Sequence, residues 1–119
     1  MSGPLAGDTS GFAVQGGQGV PELSGRQRRH LRGLAHPLRP VVHVGDEGIS
    51  TGVVEALRQA LVDHELVKVR LHEPESKKTL ARSLAESSHA ALCGLVGHTV
   101  ILYRPHPESP RIELPDGGI

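Results

Sequence analysis

Residues 37–54 read Pro37-Leu38-Arg39-Pro40-Val41-Val42-His43-Val44-Gly45-Asp46-Glu47-Gly48-Ile49-Ser50-Thr51-Gly52-Val53-Val54. The β-branched run behind Pro40 predicts a short strand. Gly45-x-x-Gly48 then predicts a turn whose glycines supply either a positive φ or a bare backbone. Ser50 or Thr51 offers an N-cap oxygen to a helix whose apolar positions begin at Val53. Strand, glycine turn and helix N-terminus together aim unpaired backbone N–H groups and the positive end of a helix dipole at one place. That arrangement suits a phosphate oxygen, and a nucleic-acid backbone is one candidate ligand.

Working outward toward the N-terminus, Ser24-Gly25-Arg26-Gln27 is a capping box, so a helix is expected from there to about Ala35, ending before Pro37. Leu31, Leu34 and Ala35 form its expected buried side, and Arg28, Arg29 and Arg32 its outer one. Toward the C-terminus, a second helix from about Thr51 to Asp63 places Val53, Val54, Leu57, Ala60 and Leu61 on one face. Leu66–Leu71 then alternates strictly. Val67, Val69 and Leu71 point one way and Lys68 and Arg70 the other, which makes one sheet face basic or wet at this strand. A third helix is expected from about Glu75 to Ala90, with Leu80, Ala81, Leu84 and Ala85 inward and Lys77, Lys78 and Arg82 outward. Two apolar runs, Ala91–Val96 and Thr99–Tyr103, follow, joined by Gly97-His98, the spacing of a tight antiparallel hairpin. The order α-β-α-β-α-β-β combines crossovers that favour parallel pairing with one antiparallel hairpin. The expected fold class is a single-domain α/β sandwich with a four-stranded mixed sheet.

The chain has 119 residues, which suits one domain. Residues 1–22 form a Gly-rich stretch without apolar periodicity, expected to be a flexible tail because it cannot bury enough surface to offset ordering entropy. Residues 23–104 are the expected folded body. Residues 105–119 are a C-terminal extension opened by prolines, in which Arg111–Leu114 would add a short edge strand or pack extended on the surface. No window of eighteen apolar residues and no basic-then-apolar N-terminus occurs, so neither a transmembrane helix nor a secretory signal is expected. The single cysteine, Cys93, sits in an apolar run and reads as a small core residue. The absence of a cysteine pair fits a reducing cytoplasm.

A formal net charge of zero hides an uneven distribution. Between Ser24 and Arg104 twelve Lys and Arg face eight Asp and Glu, and from Arg26 to Arg39 there are five arginines and no acid. Aromatic residues are scarce. Tyr103 is the only one in the body and Phe12 lies in the tail, so a sheet that stacks bases on rings is not expected. The eight histidines, His30, His36, His43, His64, His72, His89, His98 and His106, are scattered without metal-site spacing, and no metal or other cofactor is expected. The chain carries no Gly-x-Ser-x-Gly elbow, P-loop or carboxylate pair on strand ends. It reads as a non-enzymatic protein, with His43 an ordinary strand histidine rather than a catalytic group.

Several segments carry a resemblance: Leu31-Arg32-Gly33-Leu34-Ala35-His36-Pro37-Leu38-Arg39-Pro40-Val41-Val42, Gly45-x-x-Gly48, Val53-Val54-Glu55-Ala56-Leu57, His64-Glu65-Leu66-Val67-Lys68-Val69 and Gly97-His98-Thr99-Val100-Ile101-Leu102-Tyr103-Arg104-Pro105. In this order, over about residues 23–114, the sequence resembles the bacterial YhbY family of stand-alone CRM domains, named for chloroplast RNA splicing and ribosome maturation. The resemblance implies a fold similar to the C-terminal domain of translation initiation factor three. It also implies RNA binding tied to assembly of the large ribosomal subunit, so the expected partner is structured RNA, large-subunit ribosomal RNA or a pre-ribosomal particle, and the expected state is a cytoplasmic monomer. In that family the glycine loop is compared with the KH loop that clamps a nucleotide backbone. Its counterparts here are Gly45, Asp46, Glu47 and Gly48, and the two carboxylates depart from the common pattern.

Each carboxylate repels a phosphate by about 1 kcal/mol at about 4 Å in water. Their alternative role is to complement the helix dipole. The first-helix side chains Arg26, Arg28, Arg29 and Arg32, with Arg39 beyond, are the expected phosphate contacts, as forks of fixed donors. Lys68 and Arg70 extend that surface. Arg104 suits either an RNA contact or an anchor for the sheet edge. Such a surface reads backbone and shape rather than base sequence. The competing function is a protein-interaction module that docks through its exposed sheet face.

Overall fold

The computed structural model describes residues 20–72 and 76–116. Its elements are α1 (Gly25–Ala35), β1 (Val42–Val44), α2 (Thr51–His64), β2 (Leu66–Leu71), α3 (Lys77–Ser88), β3 (Ala91–Val96) and β4 (Thr99–Tyr103), the expected order. Local chemistry explains where the helices start. Ser24 Oγ accepts from Gln27 N at 3.1 Å and Gln27 Oε1 accepts from Ser24 N at 3.0 Å, closing the capping box. Ser50, rather than Thr51, caps α2 by accepting from Val53 N. The third helix is shorter than its apolar period suggested. It begins at Lys77 and ends where His89 takes a left-handed φ of 58°, while Glu75 lies outside the described residues.

The sheet order is β1-β2-β4-β3. β1 and β2 are parallel, as the strand-helix-strand crossover demands, and β4 is antiparallel to both of its neighbours. The β2-α3-β3 unit is also a parallel crossover in direction, but β4 folds back from β3 through the Gly97 turn and inserts between its two strands. Gly97 has φ +60°, the conformation that such a tight connection requires.

Side chains leave the sheet on two sides. Val42, Val44, Val67, Val69, Leu71, Val100 and Leu102 pack against Leu57 and Leu61 of α2 and Ala81, Leu84 and Ala85 of α3. On the other side Leu66, Ile101, Tyr103 and Cys93 pack against Leu31 and Ala35 of α1. Leu34 departs from expectation. It is 42 % exposed, because α1 rests on the sheet through Leu31 and Ala35, four residues apart, and Leu34 projects past that contact line.

Residues 105–116 contain no strand. They cross back beside α1, where Leu114 and Ile112 join the second core and Pro115 O accepts from Gln27 Nε2. Their fastening is Glu65, which is fully buried and sits at φ 65° in the corner between α2 and β2. Its carboxylate accepts backbone N–H groups of His106 at 2.7 Å, Arg111 at 3.0 Å and Ile112 at 3.0 Å. Its own carbonyl accepts from Arg104 N. Burial pushes the Glu65 pKa up, but those N–H groups and the nearby Arg111 charge outweigh it and hold the pKa below its ordinary value.

Glu65→Ala should therefore cost about 2–3 kcal/mol in urea unfolding, since it strands buried donors of the C-terminal segment. A pKa lower in the folded than in the unfolded state means that this contribution is complete above the unfolded value and disappears as pH falls through the folded one. Wild type should accordingly lose stability on acidification more steeply than Glu65→Gln, which has nothing to titrate there.

Candidate nucleic-acid interface

The described residues cover the face of the sheet that carries α1 over only part of its length. Along β2 the residues on that side are Leu66, buried under the helix, Lys68, half-buried, and Arg70, exposed. Strand register extends this gradient sideways. Arg70 lies between His43 on β1 and Thr99 on β4, and Thr99 faces Val96 on β3, which is 63 % exposed. The next row toward the helix holds Lys68, Ile101 and Gly94. An uncovered half-face therefore presents Lys68 and Arg70, with the glycine turn at one margin and α1 at the other.

At the helix margin, Arg32 Nη1 donates to Cys93 O at 2.9 Å and Arg28 Nε donates to Leu92 O at 3.3 Å. These carbonyls lie at the bulge in the edge strand β3 between Leu92 and Gly94, where the ladder shifts register. Gly94 is what admits the Arg32 stem, because a Cβ there would meet Arg32 Cδ at 2.7 Å. Arg28 and Arg32 are thus committed in part to holding α1 on β3. Arg26, Arg29 and Arg39 are exposed and make no side-chain hydrogen bond among the described residues. Lys68 Nζ donates to His36 O and Leu38 O at 3.2 and 3.1 Å. It thereby places its charge on the carbonyl end of α1, where a cation is favoured.

The turn is closed by Gly48 N donating to Gly45 O at 3.0 Å. Gly48 has φ +76° with open space where a Cβ would stand, whereas Gly45 has neither a positive φ nor a near neighbour. Asp46 and Glu47 are exposed, and Asp46 Oδ1 lies 3.3 Å from His72 Nε2. Between this turn and the sheet opens a cavity of about 410 Å³ lined by His43, Val44, Gly45, Arg70, Leu71, His72 and His98. The histidines of this group were not singled out from sequence as contacts. The alternation Val42-His43-Val44 puts His43 on the side of β1 away from its apolar residues, and register then sets it beside Arg70.

Arg104 stands apart. It follows Tyr103, which pairs with Leu66 at the opposite end of β2 from Leu71, about 17 Å away along the strand. Its Nη1 donates to Ser88 O, and Arg58 Nη2 donates to Ser87 O, so both cations sit on the carbonyl end of α3. Burial, then the nearby Arg58 charge, lowers the Arg104 pKa. Cys93 is buried and its thiol is pushed up to about 12 by burial, against the downward pull of Arg28 and Arg32. At neutral pH it is an inert core group. Among the described residues no helix is long and apolar enough to cross a membrane, and no group of three or more His, Cys, Asp or Glu side chains is placed to hold a metal ion.

An α1 and a C-terminal strap on one side of a four-stranded mixed sheet, two helices on the other and a glycine turn at the end of β1 define a class of small α/β domain. The CRS1/YhbY (CRM) domain model matches residues 23–104, and the chain belongs to that family. An RNA-binding protein of Haemophilus influenzae is 39% identical over 95 residues, covering 78% of this chain and 95% of its own. Probable RNA-binding protein YqeI of Bacillus subtilis is 36% identical over 95 residues, covering 78% and 99%. The solution structure of the hypothetical protein SAV1595 from Staphylococcus aureus is similar with a TM-score of 0.70 at 34% identity, over 79% of this chain and 100% of that one.

The two loop glycines should separate in a mutational test. Gly48→Val should lose about 1–2 kcal/mol, the cost of a left-handed conformation for an L side chain. Gly45→Ala should leave the thermal midpoint unchanged, so that any loss of ligand affinity in that variant reports close approach to the turn.

Proposed function

We propose that this protein binds structured RNA on the uncovered half of its sheet and acts there as a binding protein rather than a catalyst. The observation that carries the reading is the register that sets Lys68 and Arg70 side by side with the Gly45–Gly48 turn and the arginine side of α1. Together these supply cations and free backbone donors to a phosphodiester chain. The RNA-binding names of the relatives support the ligand class. The family resemblance supports precursor large ribosomal subunits as its source and the cytoplasm as the place, with the protein acting as a monomer on residues 23–104.

Within the surface, Arg26, Arg29, Arg39 and Arg70 are assigned to phosphates. Arg32 and Lys68 contribute the donors that their carbonyl contacts leave over. Gly45 and Gly48 shape the approach, and Asp46 and Glu47 splay away from the chain. Arg28 and Arg104 are assigned to holding the fold. A protein-docking role has one observation in its favour: Leu34, Leu38 and Val41 are exposed around an apolar cavity of about 470 Å³ beside the N-terminal end of β1.

Replacing Arg28 and Arg32 would perturb the helix seat as well as the surface, so the decisive variant changes Arg29, Arg39 and Arg70 to Gln. With a structured fragment of large-subunit ribosomal RNA titrated across a salt series, the log–log slope of affinity should fall by about 2–3 in this variant, with the unfolding midpoint unchanged. Equal slopes for wild type and variant would remove these arginines from the interface. A flat response in wild type would turn the assignment toward protein partners.

A further inference from the structure

Three histidines from three different segments surround the cavity between the glycine turn and the sheet. His43 comes from β1, His72 from the end of β2 and His98 from the β3–β4 turn, and all three are exposed. Their convergence follows from topology. His43 neighbours Arg70 by register, His72 N donates to Val44 O, and Leu71 N donates to His98 O at 2.7 Å, which pulls the hairpin turn against the strand end.

Neutral imidazoles offer one N–H each, and imidazolium adds a second donor and a full charge. The charged groups that face them are Arg70 within the cavity, Asp46 at 3.3 Å from His72 Nε2, and Lys77, whose Nζ donates to Gly97 O beside His98. Glu73 and Glu75 follow His72 in the chain and lie outside the described residues.

Resting on the RNA reading above, the geometry points to a proton-strengthened phosphodiester seat in which His43, His72 and His98 join Arg70 and the Gly45 turn. A single anion accounts for this chemistry better than a metal does, since Arg70 in the cavity wall repels a cation and, among the described residues, the three rings are not placed as a ligand set. The seat admits a backbone phosphate next to the turn. It tightens as imidazoles gain protons, and the Asp46 carboxylate yields His72 to the incoming phosphate. Affinity for RNA thereby depends on the protonation of the three rings.

The test measures affinity for a structured ribosomal RNA fragment at about pH 8 and about pH 6, each across a salt series, for wild type and for the variant His43→Gln/His72→Gln/His98→Gln. Because the three side chains are exposed, the variant should fold with an unaltered unfolding midpoint. Wild type should bind about tenfold more tightly at the lower pH, with a salt slope steeper by roughly 1–2, while the variant should show neither change. Wild type without a pH response, or a variant that keeps the full response, overturns the seat while leaving RNA binding intact. Failure of wild type to bind at either pH overturns the RNA reading and the seat together.

Discussion

A two-sided sheet must have both faces covered or made polar, and among the described residues one short helix, α1, packs on its second face. Eleven residues of α1 span about 16 Å at 1.5 Å per residue, and the C-terminal strap fills in beside it rather than beyond it. The apolar residues Leu66, Ile101, Tyr103 and Cys93 lie within that footprint, and the polar His43, Lys68, Arg70 and Thr99 lie outside it. Coverage therefore determines which side chains meet solvent, and solvent exposure determines where a charged ligand can bind. The surface proposed for RNA is the part of this face that the cover leaves open.

Holding that cover in place draws on groups that look functional in sequence. Arg28 and Arg32 satisfy the carbonyls of the β3 bulge, Lys68 closes the end of α1, and Arg104 closes the end of α3. The buried carboxylate of Glu65 gathers the strap. Each is a charge whose donors or acceptors meet backbone atoms at a bulge, a helix end or a loop, where polar groups are costly if buried without partners. The basic composition of the body thus serves two purposes, and the exposed cations Arg26, Arg29, Arg39 and Arg70 are free of this structural duty among the described residues.

Much of this was readable from residue pattern, because element type depends on local rules. The capping box at Ser24, the alternation in Leu66–Leu71, the Gly97-His98 hairpin and the Gly45–Gly48 turn are each encoded within a few residues. Leu34 could not be placed correctly from its helical period, since a period defines a face but not which edge of it touches the sheet. Gly94 did carry a signal, an isolated glycine inside a strand, but its purpose required knowing that Arg32 would cross it.

The sequence by itself determined the elements, their order, the basic character of one sheet face and family membership, since these depend on spacing along the chain and on motif order. Only the tertiary structure decided that β4 lies between β2 and β3, that Glu65 ties down residues 106–112, and that Arg104 stands at the far end from the glycine turn. It alone also brought His43, His72 and His98 around one cavity. Those outcomes depend on strand register and on which backbone carbonyls are left unpaired, quantities that pairings between distant segments set and that no local window of residues contains.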